Sequence, residues 1–278
     1  MNYKLKLILT ALAGLLALPL TPARADEFAD KARDVFKKNA SAIVTLSVVL
    51  NVNFSGQSRE SKTEITAVVV DPKGLAVLPL SSVDPTSLMD SPNAKMEIQV
   101  SDIKIMLEDN TELPAEIVLR DKDLDLAFIR PKTKPAQPLT AIDLTKSGTA
   151  EVMDQVLTIT RLGQAAGRAH AASIERIAAV VRKPRTFYIP DSGMTATRQG
   201  APAFLADGRV LGIFVFRAVN MKSGAAGRDN VSSIILPAED VLKNARQAPE
   251  AKGDDGEKKE ETKEKKADEG KEKKAESK

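Results

Sequence analysis

The chain has no cysteine and no tryptophan, a single histidine, and aromatic residues at only 4% of its 278 positions. Without cysteine there is no disulfide, no thiolate nucleophile, no cysteine-ligated zinc and no acylated N-terminal cysteine. A lone imidazole, His170, excludes zinc bound by several histidines and leaves one candidate for any mechanism that needs a histidine base. With so few rings, the core has to be built from Val, Ile, Leu and Ala, which favours strands wherever apolar residues alternate. The net charge of +3 is small and spread along the chain, which argues against a nucleic-acid binder. The one basic cluster, Arg182, Lys183 and Arg185, reads as a solvated loop. The glycines of "LGQAAGRAH", Gly163 and Gly167, lack the strand, loop and helix order of a phosphate cradle and also read as a loop. Neither a cofactor nor a metal is expected.

The ends differ from the middle. Residues 1–25 carry Lys4 and Lys6, an apolar run "LILTALAGLLALPL" shorter than the ~20 residues a membrane-spanning helix needs, and Ala23-Arg24-Ala25. That layout reads as a secretory signal cleaved near Ala25, which places the mature chain in the periplasm or cell envelope. Residues 247–278 are almost all Lys, Glu, Asp, Ala and Gly, too polar to offset the entropy of ordering, and are expected to form a disordered tail. Such a tail solubilises, or tethers the protein to a partner.

Between them, residues 26–40 place Phe28, Ala32, Val35 and Phe36 on one face of a helix. From 41 to 246 short strand-like runs follow one another. "AIVTLSVVLNVNF" alternates Val44, Leu46, Val48, Leu50 and Val52 with polar residues, as a half-buried strand does. Eleven further runs, from "EITAVVVD" to "VSSIILP", are separated by turn signals such as Asp71-Pro72-Lys73-Gly74 and Asp207-Gly208. About a dozen strands and little helix imply an all-β fold of two small barrels, closed by the helix "AEDVLKNAR".

Four segments then carry a resemblance. "ITAVVVDPKGLAVLPLSSVD" is similar to the strands that lead into a histidine motif of the form TNAHVV. "LEDNTELPAEIVLRDKDLDLAFIRPK" matches D-x-x-x-D-[LI]-A-[VF], which ends at a catalytic aspartate. "YIPDSGMTATRQGAPAFLADGRVLGI" aligns without gaps to the segment around GNSGGPL, and "VSSIILPAEDVLKNA" looks like a last strand and helix. In order and spacing, over roughly residues 30 to 246, the chain resembles the HtrA-type branch of the trypsin-like serine proteases. The resemblance implies a trypsin/chymotrypsin-like double β-barrel with the active cleft between the barrels. It assigns Asp125 to the triad aspartate, Ser81 to the position of the histidine and Gln199 to that of the nucleophilic serine. In the oxyanion loop it puts Thr197 where the family has a glycine, followed by Arg198, Gly200, and Ala201 in place of another glycine. Gly200, Pro202, Asp207, Gly208 and Gly212 keep the pattern.

Acyl transfer needs an oxygen or sulfur nucleophile and a base able to take its proton. The Gln199 amide is no nucleophile, and a serine hydroxyl at 81 is no base. Loss of nucleophile or base alone typically costs about a millionfold. The expectation is therefore an inactive homologue, with no intact catalytic set, that binds a protein or peptide in the envelope by adding it as a strand. Relatives often carry a PDZ module and often form trimers; here a charged tail follows the barrels, and a homo-oligomer stays open. Two alternatives stand beside this reading. One is an active endopeptidase with relocated residues, His170 or Ser192 with Lys73 or Lys183. The other is a structural envelope protein whose tail makes the contact.

Overall fold

The computed structural model describes residues 27–54, 57–88, 96–193, 196–218 and 231–250. The proposed signal, and the tail beyond 250, lie outside the described residues. Helix α1, Glu27–Asn39, precedes a first closed barrel of β1 (Ile43–Phe54), β2 (Gln57–Val69), β3 (Ala76–Pro79), β4 (Met96–Met106), β5 (Glu112–Asp121) and β6 (Leu126–Pro131), ordered β1-β2-β3-β6-β5-β4. The second closed barrel holds β7 (Gln155–Arg161), β8 (His170–Val181), β9 (Phe187–Pro190), β10 (Pro202–Phe204), β11 (Val210–Ala218) and β12 (Val231–Pro237), ordered β10-β11-β12-β9-β8-β7. Helix α2, Ala238–Ala245, follows. All strand pairs within the barrels are antiparallel. The two-barrel expectation from the strand pattern is the fold observed.

Period-two alternation explains how one set of strands builds three cores. On β6, Ala127 and Ile129 point into the first barrel, with Leu46, Leu78 and Ile105. Their neighbours Leu126 and Phe128 point the other way, into a seam shared with Leu157, Ile213, Val215 and Leu236 of the second barrel. The second barrel has its own interior, around Ile177, Leu211, Phe214 and Ile235. Each such side chain removed from water is worth about 1.5–3 kcal/mol. The seam is therefore a hydrophobic core, and it holds the barrels together. Helix α1 adds Ala32 and Val35 to it, with Phe28 and Phe36 packed alongside.

One expectation changes. The polar face of β1 was read as solvent-facing, yet Thr45 and Ser47 are 3% and 5% exposed. The second barrel lies over the start of this strand, where the His170 ring bonds the Ile43 carbonyl. Strand β2 also begins seven residues before the run "EITAVVVD", because β1 pairs it in full register from Phe54↔Gln57 to Ile43↔Val68. β2 meets β3 only at Val68 and Val69. Residues 57–67 therefore have one neighbouring strand among the described pairings. The turn "DPKG" forms as expected, with Gly74 at φ +96 and its N–H donating to the Asp71 carbonyl at 2.8 Å.

The chain also returns across the seam after α2. Ala248 packs against the shared core, Arg130 Nε donates to the Pro249 carbonyl at 2.7 Å, and Lys73 pairs with Glu250 at 3.0 Å. Residues 248–250 are thereby tied to the first barrel.

Candidate functional site

Strand pairing brings Ser81 and Asp125 together. β3 and β6 are in register from Ala76↔Ile129 to Pro79↔Leu126. The residues just beyond this pairing are the 3-10 turn Leu80–Ser82, after β3, and Asp125, before β6. Asp125 has φ +55, a left-handed conformation that aspartate tolerates better than most residues, and its carbonyl accepts the Leu80 N–H at 3.0 Å. Asp125 is 3% exposed. Oδ1 accepts the Ser81 N–H at 2.7 Å, and Oδ2 accepts the Ser81 hydroxyl at 2.8 Å. Oδ2 also accepts the Phe216 N–H at 3.0 Å, from β11 in the other barrel. Burial pushes the Asp125 carboxyl above the ordinary aspartate value, while the Ser81 and Phe216 donors pull the other way. No ion pair to Asp125 occurs among the described residues. Asp125 thus joins the barrels by hydrogen bonds alone.

The second barrel contributes the loop 196–200. Thr197 lies in the 3-10 turn Ala196–Arg198 and is absent from the residues with positive φ. Gly200 has φ +81, and a Cβ there would stand 2.4 Å from the Thr66 carbonyl of β2, so only glycine lets the loop approach the first barrel. Gln199 is 5% exposed; its Nε2 donates to Ser233 Oγ at 3.0 Å, and its Oε1 is buried without a partner among the described residues. A cleft of about 490 Å³ joins these groups, lined by Ser81, Thr197 and Gln199 along with Thr63 to Thr66 of β2 and Arg161 to Gly163 at the end of β7. Ser81 and Gln199 line one cleft, and Asp125 stands behind Ser81, bonded to its hydroxyl.

A buried carboxylate fixes the loop from behind. The Glu175 side chain on β8 is 2% exposed and pairs with Arg198 Nε at 2.8 Å. It also accepts the Ser173 hydroxyl at 3.1 Å and the Ser192 hydroxyl. No motif marks Glu175 in the sequence; the one signal is that it shares a strand phase with Ile177, which is fully buried. The Phe216 N–H had no sequence signal, because any residue supplies it. A second bridge crosses the cleft: Arg168 holds Glu64 of β2 through Nη2 at 2.6 Å and Nε at 3.1 Å.

The groups weighed as relocated machinery are elsewhere. His170 bonds the Ile43 carbonyl at 3.0 Å through Nε2, with Nδ1 3.5 Å from Glu108. Ser192 is bonded to Glu175, and Lys73 to Glu250. Lys183 lies in the turn between β8 and β9. No hydrogen bond or ion pair among the described residues makes a Ser–Lys or Ser–His pair of them.

Two six-stranded antiparallel barrels, with a cleft at their seam and a buried aspartate reaching from one to the other, define the double-barrel class of serine-peptidase folds. Within that class, the sequence from 32 to 213 matches the trypsin-like peptidase domain, and the chain belongs to that family. Among solved structures it is similar to one titled "HtrA-type protease AlgWS227A with tripeptide", at 18% identity and a TM-score of 0.52 over 76% of this chain. The match spans 61% of that protein, and at such identity the likeness is one of fold. No curated protein matches the chain. The relation is thus carried by the backbone and by scattered landmarks.

Proposed function

We propose that this member of the trypsin-like peptidase family has lost peptidase chemistry and acts by binding an extended polypeptide in the cleft. The observation that carries the reading is the partner of Asp125. The group bonded to this buried carboxylate is the Ser81 hydroxyl, and the loop residue across the cleft is the Gln199 amide. Neither takes a proton from a nucleophile near neutral pH; the amide is no nucleophile, and the Ser81 hydroxyl has no imidazole or amine bonded to it among the described residues to activate it. Gln199 is held against β12 by its bond to Ser233. Thr197 stands in a 3-10 turn, where an oxyanion donor relies on a glycine conformation.

Binding remains open to the same surface. Among the described residues β2 has no strand partner on its outer edge at Thr63 to Ile65, where it borders the cleft and can take an added strand. A secretory signal in residues 1–25 would direct such a protein to the cell envelope, where unfolded or processed chains are available to bind.

The test combines chemistry and capture. Incubation with unfolded casein and a serine-reactive fluorophosphonate should give neither turnover nor labelling, while fluorescent peptides bind saturably. Turnover abolished by Ser192→Ala would instead establish relocated catalysis and overturn the proposal.

A further inference from the structure

Two polar atoms of the cleft wall are buried without a partner among the described residues: Gln199 Oε1 and Arg161 Nη1. Both residues line the cavity that also contains Thr63 to Thr66 of β2. They are opposite in kind. Gln199 Oε1 only accepts a hydrogen bond; Arg161 donates, and carries a positive charge. A buried polar group without a partner costs about 1–3 kcal/mol, and more when charged. A ligand that satisfies both must bring a donor for the glutamine and an anionic acceptor for the arginine.

The charges around Arg161 leave that role unfilled. Its Nε donates to the Arg168 carbonyl at 3.0 Å. Of the acidic groups around it, Glu64 pairs with Arg168, and Glu108 lies 3.5 Å from His170 Nδ1. Burial draws the guanidinium below its ordinary value, with Glu108 opposing and Arg168 reinforcing the shift. No carboxylate lies within ion-pair distance of Arg161 among the described residues, and Glu108 acts on it only from farther away.

An extended chain on the β2 edge supplies amide N–H groups along its whole length, but an anion on its backbone only at its end. We propose that the cleft receives the free C-terminal end of a polypeptide, whose terminal carboxylate bonds Arg161 while a main-chain N–H donates to Gln199 Oε1. This rests on the peptide-binding reading above and specifies which part of the peptide is held. The bidentate geometry of guanidinium on carboxylate makes the end of the chain the anchor, and β2 then fixes the direction in which the rest runs.

Two random heptapeptide libraries of the same composition, one ending in free carboxylates and one in amides, are passed over the immobilised full-length protein, and the retained fractions are compared. The acid library should be retained at least tenfold more. The ratio should fall towards one in Arg161→Gln, recover in part in Arg161→Lys, and narrow in 1 M salt as screening sets in. Equal retention of both libraries by the unaltered protein overturns this inference and leaves cleft binding of internal segments standing. Retention of neither library overturns the peptide-binding reading itself. An acid preference that persists undiminished in Arg161→Gln overturns the assignment to Arg161.

Discussion

Replacing Asp125 tests whether the barrels are joined by hydrogen bonds to a buried charge, because two substitutions separate the terms. Asp125→Ala removes the acceptor of two backbone donors, Ser81 N–H at 2.7 Å and Phe216 N–H at 3.0 Å. Each orphaned donor costs about 1–3 kcal/mol, a gross loss of roughly 2–6 kcal/mol. Removing a desolvated carboxylate with no cationic partner offsets part of this, so the net loss expected is about 2–4 kcal/mol. Asp125→Asn keeps one carbonyl oxygen, and the Ser81 hydroxyl can turn to accept from the new amide; one backbone donor is left unpaired, for about 1–2 kcal/mol. Urea titrations followed by far-UV circular dichroism measure both, the chain having no tryptophan to report by fluorescence. The pH dependence has a definite sign. The folded state holds the Asp125 proton more tightly than the unfolded chain, whose ordinary value is 3.8. This residue's contribution is therefore fully present below about 3.8 and is lost as pH rises through the higher folded value. Asp125→Asn should lack this falling component. An alanine variant as stable as the parent at pH 7, or more stable than the asparagine variant, would refute the account.

Three further outcomes follow from contacts elsewhere. Gly200→Ala forces a side chain into a left-handed conformation at about 1–2 kcal/mol and towards the Thr66 carbonyl at 2.4 Å, so it should lower the urea midpoint and weaken peptide capture together; an unchanged midpoint would mean that the loop and β2 are not in tight contact. Arg198→Ala leaves the buried Glu175 without its cation, and the two serine hydroxyls do not neutralise it; a loss of about 3 kcal/mol is expected in the same titration, and one below about 0.5 kcal/mol would show that Glu175 is not desolvated. A chain ending at Gln247 loses the Pro249 carbonyl that Arg130 holds, and should be about 1.5–3 kcal/mol less stable than one ending at Glu250. Equal stability of these two truncated chains would relieve Pro249 of any structural role.

The strands were legible because each alternates, and the turns because Asp-Pro-Lys-Gly and Asp-Gly allow few other conformations; helix α1 was visible as an apolar stripe on one face. The landmark residues Ser81, Asp125 and Gln199 were assigned because a family pattern fixes their spacing; Ser81 and Gln199 line one cleft, and Asp125 is bonded to Ser81. Less could be read of what surrounds them. Thr45 and Ser47 look solvent-facing along β1, and only the packing of the second barrel buries them. Glu175 and Arg198 are separated in sequence and paired in space. Phe216 contributes a backbone N–H that carries no residue identity.

By itself, then, the sequence determined which segments are strands and which chemical groups are present, since both follow from local periodicity and residue type. The tertiary structure alone decided what those groups face: that Asp125 bonds across two barrels, that β2 along its polar half has one strand neighbour among the described residues, and that Gln199 and Arg161 share a cavity with atoms unpaired among those residues. The physical reason is that burial and partnership depend on elements distant in the chain, and are fixed only once the seam between the barrels has closed.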